Sequence, residues 1–146
     1  MASNPFRDAL GIEVLEAGHG RSVVRMPAGE MILNALGVVH GGALCALADS
    51  AIGTALRSAL DPGDTLATIE IKLNFIAPAR GETVARAQAV HLGRTTAVAD
   101  VEISDAGGTL VAKGLATFYV KRGAVPARPG AHTAMDPDVD GPEPGE

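Results

Sequence analysis

The chain has 146 residues, 47% of them hydrophobic, and a formal net charge of −5. One domain with a sizeable core fits that length, and a single cysteine, Cys45, excludes an internal disulfide and a metal-binding cysteine pair. With no basic stripe and only three Phe and one Tyr for stacking, nucleic acid is not an expected partner. No apolar run near Met1 reads as a secretory signal. The longest apolar segment, residues 41–60, contains Asp49 and Arg57 and is not a credible membrane span. Cytoplasm is the expected location, with no membrane partner.

The first elements in chain order are two short β-rich runs, residues 11–17 and 21–26, separated by Gly18, His19 and Gly20, which reads as a hairpin. An apolar helix follows over residues 41–60, stopped by Asp61, Pro62, Gly63 and Asp64. Residues 65–76 alternate, with Thr68, Glu70, Lys72 and Asn74 on one face and Ile69, Ile71, Leu73 and Phe75 on the other. A turn at Pro78, Arg80 and Gly81 leads to residues 83–91, which place Ala85, Ala87 and Ala89 together. Residues 95–104 group Ala97, Ala99, Val101 and Ile103. After a turn at Ala106, Gly107 and Gly108, residues 109–120 align Ala112, Gly114 and Ala116.

Small residues on the inner face let a central helix approach a sheet closely, and the helix is itself rich in alanine. The expected fold is therefore α+β, one long helix wrapped by a strongly curved antiparallel sheet. Residues 1–122 form the domain. Residues 123–146 hold one basic and five acidic residues and five prolines, and are expected to be a flexible acidic extension.

The chemistry concentrates between Asn34 and Asp49. Asn34 and His40 lie in a polar loop, Gly41 and Gly42 open the helix, and Asp49 is a lone carboxylate between Leu47, Ala48, Ala51 and Ile52. Free N–H groups at a helix start supply donors and a positive dipole end to an oxygen that gains charge. Glycine lets a substrate reach that backbone. Asp49 lies eight residues beyond Gly41, about 12 Å along one helix axis, so the two cannot serve one carbonyl within a single chain. If both act, the site is shared across a two-fold dimer with antiparallel helices facing each other.

The motif of His40, Gly41 and Gly42, followed by Leu47, Ala48, Asp49 and Ser50, resembles the hotdog-fold acyl-CoA thioesterases of the phenylacetate-degradation type. The resemblance continues through the strand and proline turn of residues 68–79, the Gly93-Arg94-Thr95 turn and residues 112–118, and spans residues 8–121. It implies a hotdog fold and hydrolysis of acyl-CoA thioesters to a carboxylic acid and coenzyme A, with no metal or redox cofactor. Asp49 would be nucleophile or general base, and the Gly41 N–H of the partner subunit would polarise the carbonyl. Asn34 would help hold the reacting groups, His40 would orient the loop or contact the acyl-pantetheine end, and Thr68 would position water. Gly42, Gly93, Arg94 and Thr95 would contact substrate. From the residues themselves, Arg94 with Lys121 and Arg122 could meet the phosphates of coenzyme A or be exposed basic residues of no special purpose. Some relatives carry a hydroxyl residue one turn after the carboxylate, where this chain has Gly53, flanked by Ser50 and Thr54. A homodimer with shared sites, assembled as a dimer of dimers, completes the expectation.

Other readings stay open at this point. Asp49 could be a structural helix carboxylate, Asn34 a turn residue, and Thr68 an ordinary strand threonine. Cys45, one turn before Asp49, could be a nucleophile with His40, although a free cysteine in an apolar helix usually packs as a small hydrophobe. An acyl-thioester hydratase or dehydratase on the same fold would use His40 as base, and a non-catalytic module would bind acyl-CoA without turnover. His19, His91 and His132 are scattered and suggest no metal site.

Overall fold

A computed structural model of the chain describes residues 4–123. Asn4 caps a short first helix, α1 (Pro5–Ala9), by accepting the Arg7 N–H, with Pro5 in the first turn where no N–H is needed. The sheet strands are β1 (Glu13–Gly18), β2 (Arg21–Met26), β3 (Thr65–Phe75), β4 (Thr83–Leu92), β5 (Thr96–Asp105) and β6 (Leu110–Lys121), and the long helix α2 (Gly41–Arg57) enters between β2 and β3. The order β1-β2-β4-β5-β6-β3 is antiparallel throughout and leaves β1 and β3 as edges. In the first hairpin Gly18 pairs with Arg21, and His19 and Gly20 both take positive φ (51° and 77°), the conformation of a tight two-residue turn.

Most of the stability of a helix within a protein comes from packing its apolar face, so α2 depends on the sheet. Its buried stripe, which includes Leu44, Leu47, Ala51, Ile52 and Leu56, lies against inner-face residues Ala85, Ala87, Ala97, Ala99 and Ala116. Burying each large apolar side chain contributes about 1.5–3 kcal/mol. The alanines opposite bring helix and sheet close enough for the buried Ser22 hydroxyl to donate to the Ala51 carbonyl at 2.7 Å.

Two differences from the sequence reading matter for the site. The helix ends at Arg57 rather than residue 60, because the Ser58 hydroxyl donates to the Ala55 carbonyl and accepts the Gly20 N–H, tying the last turn to the first hairpin. The alternation across β3 is broken. Thr68 pairs with Phe118 and Glu70 with Thr117, leaving Ile69 as an extra, 58% exposed residue. This β-bulge puts Thr68 on the helix side, with Ile71 and Leu73, and not with Glu70, Lys72 and Asn74. The expected tail lies, from residue 124 on, outside the described residues.

Candidate active site

The helix start is organised by His40. Its backbone is extended (φ −63°, ψ 137°), its Nδ1 accepts the Gly42 N–H at 2.8 Å, and its carbonyl accepts the N–H groups of Ala43 and Leu44. That leaves the Gly41 N–H as the one first-turn donor with no acceptor among the described residues. The two glycines have separate reasons. A Cβ at Gly42 would stand 3.0 Å from His40 Nδ1 and push out the cap, while one at Gly41 would stand 3.2 Å from the Phe75 ring. With Nδ1 taken as acceptor, His40 keeps only Nε2 for other work, which weakens a role as general base through Nδ1.

Gly41 opens onto a cleft of about 340 Å³ walled by Val38, Leu44, Phe75 and Ile76 and edged by Asn34. That volume lies in the range of small-molecule pockets. Asn34 is foremost the organiser of this loop. Its Oδ1 accepts the N–H groups of Leu36 (2.9 Å) and Val38 (3.3 Å), its carbonyl accepts Gly37 N–H, and Gly37 takes φ 72° to close the turn. A larger depression of about 690 Å³ lies across the outer face of β1, β2, β4 and β5, lined by Arg21, Arg86, Asp100 and Glu102. It holds none of the candidate site residues, whereas the smaller cleft is lined by Asn34 and Gly41.

Two turns along α2, Asp49 is half-buried, and its Oδ1 accepts the Thr68 hydroxyl at 2.8 Å. The bulge at Ile69 makes this contact possible. Leu47, Ala48, Ala51 and Ile52 are buried, but the carboxylate between them lies on the outward side of the helix, where the cost of burying a charge is smaller. Gly53 leaves space that the Phe118 ring approaches to 3.6 Å, and the Thr54 hydroxyl is used on the Ser50 carbonyl, so neither supplies a free hydroxyl beside Asp49. Cys45 shares this part of the helix, but burial pushes its thiol up, away from the thiolate a nucleophile needs. Gly41 touches Phe75 and Asp49 touches Thr68, seven residues apart on the same strand. The structure thus brings Asn34, His40, Gly41 and Gly42 into one group and Asp49 and Thr68 into another.

Gly93, Arg94 and Thr95 form the β4–β5 turn, remote from the 340 Å³ cleft of the same chain. Each of the three guanidinium nitrogens of Arg122 donates within the chain, Nη1 to the Asp64 carboxylate, Nη2 to the Gly93 carbonyl and Nε to the Arg94 carbonyl. Sequence reasoning passed over Asp64, its partner, which appears in sequence only as part of a helix-stopping turn. Among the described residues no helix is long and apolar enough to cross a membrane, and no three His, Cys, Asp or Glu side chains cluster to hold a metal.

A helix wrapped by a six-stranded antiparallel sheet in this order is the hotdog fold, and the protein is a thioester hydrolase of the PaaI-like class. The chain belongs to the Thioesterase superfamily, whose family model matches residues 36–112. It is 36% identical over 97 residues to the acyl-coenzyme A thioesterase PaaI of Escherichia coli, covering 65% of this chain and 67% of that protein. The solved structure of E. coli PaaI superposes with a TM-score of 0.77 over 84% of this chain and 88% of that one, at 29% identity. It is also 28% identical to the 1,4-dihydroxy-2-naphthoyl-CoA hydrolase of Listeria monocytogenes, over 80% of this chain and 96% of that protein.

Proposed function

We propose that the protein hydrolyses acyl-CoA thioesters to a free carboxylic acid and coenzyme A, at sites completed between two subunits. The observation that carries this reading is that Gly41, whose N–H is unpaired, and the Thr68-held Asp49 carboxylate both neighbour β3, an edge strand. β3 is 11 residues long, and Ile69, Phe75 and the adjoining Ile76 are each more than half exposed. A long edge strand that exposes apolar side chains among its polar ones offers a surface for pairing with another chain. A two-fold axis at this edge sets the α2 helices antiparallel and brings Gly41 of one subunit toward Asp49 of the other, which answers the separation of about 12 Å within one helix.

In such a site the thioester carbonyl oxygen takes the Gly41 N–H as charge builds on it. Asp49 acts on the carbonyl carbon as nucleophile, or as general base removes a proton from the attacking water. With Asp49 as base, the tetrahedral intermediate collapses with cleavage of the C–S bond, and the proton taken from water passes from Asp49 to the departing sulfur, releasing the acid and the coenzyme A thiol. With Asp49 as nucleophile, the same C–S cleavage leaves an acyl–Asp49 anhydride, the thiolate takes a proton from solvent, and water then hydrolyses the anhydride to the carboxylic acid and free Asp49. Thr68 donates to one carboxylate oxygen and leaves the other for the reaction. His40 acts by capping the helix so that the Gly41 N–H alone stays open. The 93–95 turn, with Arg94, takes the phosphates of coenzyme A, and the apolar cleft beside Phe75 takes the substrate near its reacting carbonyl.

The test is Asp49→Asn with an acyl-CoA panel and a thiol-detecting reagent. The expected loss is about a thousandfold in kcat/KM with unchanged fold. A variant that kept most of its kcat/KM would overturn the reading, as would tight acyl-CoA binding by the native protein without thiol release.

A further inference from the structure

The 93–95 turn is held from below by a polar network that starts in the α2–β3 connection. Asp64 is 5% exposed there. Its Oδ1 accepts the Gly123 N–H at 3.0 Å, its Oδ2 accepts Arg122 Nη1 at 2.7 Å, and its main-chain carbonyl accepts the Arg57 guanidinium. The Gly123 N–H, with help from Arg122, holds the Asp64 carboxyl below the usual carboxylate range against the opposing effect of burial. It is therefore a charged brace.

The same guanidinium reaches the turn. Arg122 Nη2 donates to the Gly93 carbonyl at 2.8 Å and Nε to the Arg94 carbonyl at 3.3 Å, while Val120 N–H donates to the Thr95 carbonyl at 2.8 Å. All three carbonyls of the turn are thus drawn toward the end of β6. Gly93 N–H closes the turn on the Thr96 carbonyl at 2.8 Å, and a Cβ at Gly93 would stand 2.8 Å from that same oxygen. The N–H groups of Arg94 and Thr95 have no acceptor among the described residues, and the exposed Arg94 side chain has no ion pair there. Two open N–H groups beside an unpaired guanidinium make an anion-binding concavity, and its shape depends on where Arg122 pulls the carbonyls.

We propose that Arg122, braced by Asp64, is a positioning residue that holds the 93–95 turn in the conformation that grips the phosphates of coenzyme A. The proposal rests on the acyl-CoA reading above. Arg122 does not touch the phosphate. It fixes the backbone that does, and Arg94 and the two N–H groups make the contact.

Two substrates with the same acyl group separate this from a merely structural role: the acyl-CoA, and the acyl-pantetheine that lacks every phosphate. Arg122→Ala is expected to raise KM for the acyl-CoA about tenfold, with kcat within about twofold and kcat/KM for the acyl-pantetheine unchanged. Arg122→Lys keeps a cation for Asp64 without the fork that spans two carbonyls. It is expected to fold and to shift KM in the same sense, which keeps the proposal testable if the alanine variant unfolds. An equal loss on both substrates in a folded variant, or no change on either, overturns the proposal. Calorimetric affinity for free coenzyme A in the Asp49→Asn background separates the two readings. An Arg122→Ala change there must weaken coenzyme A about tenfold even if Asp49 proves not to be the reacting carboxylate. Absence of any coenzyme A binding by the native protein is the failure of the acyl-CoA reading itself.

Discussion

The start and the middle of α2 are built in opposite ways. The start works through what its residues lack. Without a Cβ, Gly41 lets the Phe75 ring close over the first turn, Gly42 leaves room for the His40 ring, and the group left open is a main-chain N–H. The middle works through side chains, the Asp49 carboxylate and the Thr68 hydroxyl, brought together by one bulged residue in β3. A backbone site is damaged by added atoms and a side-chain site by lost ones. The two halves therefore answer to different substitutions, and they can be broken independently.

That independence gives the largest effect. Asp49→Asn destroys the side-chain half, and Gly41→Val crowds the backbone half by placing methyl groups where a Cβ alone already meets Phe75 at 3.2 Å. Each variant by itself is expected to be nearly inactive. Co-expressed in equal amounts, half the dimers are mixed, and in each of these one site inherits both defects and the other inherits none. The mixture is expected to recover about a quarter of native activity. If Gly41 and Asp49 of one chain served one site, mixing would recover nothing, and that outcome would end the shared-site arrangement.

A smaller effect isolates the middle of the helix. Thr68→Val keeps the shape of the side chain and removes the donor to Asp49. Losing one hydrogen bond to a charged group amounts to roughly 1.5 kcal/mol, so kcat is expected to fall about tenfold with KM and thermal stability nearly unchanged. Thr68→Ser is expected to restore the rate. Native kcat in the valine variant would mean that the side-chain half needs only its carboxylate.

The contrast also explains what could be read from sequence. The start of α2 is legible because its parts are local: a polar cap, two glycines and an apolar run lie within a few residues, and the structure begins the helix at Gly41. The inner alanines of β4 and β5 are legible because their period of two persists along most of each strand. Thr68 is the opposite case. Strict alternation puts it on the solvent side, and the bulge at Ile69, which reverses that, leaves no trace in a pattern of polar and apolar residues. The Asp64–Arg122 brace joins residues 58 positions apart, and nothing local marks either partner. Asp49 could be located but its exposure could not, because that depends on which side of α2 the sheet leaves open.

The smallest effect bears on the helix start and on whether His40 caps or catalyses. His40 Nδ1 accepts the Gly42 N–H, and its ring is exposed. Removing an N-cap acceptor costs about 1 kcal/mol, so His40→Ala is expected to lower unfolding free energy by that amount in a denaturant titration. His40→Ser supplies a hydroxyl acceptor at the same position and is expected to restore most of the stability and to keep kcat/KM within about threefold of native. A proton-transfer role reads differently, because serine cannot replace imidazole as a base at neutral pH. A stable but inactive serine variant would then turn the helix start into a second side-chain site. Retained activity makes it what its glycines indicate, a backbone donor kept open by a cap.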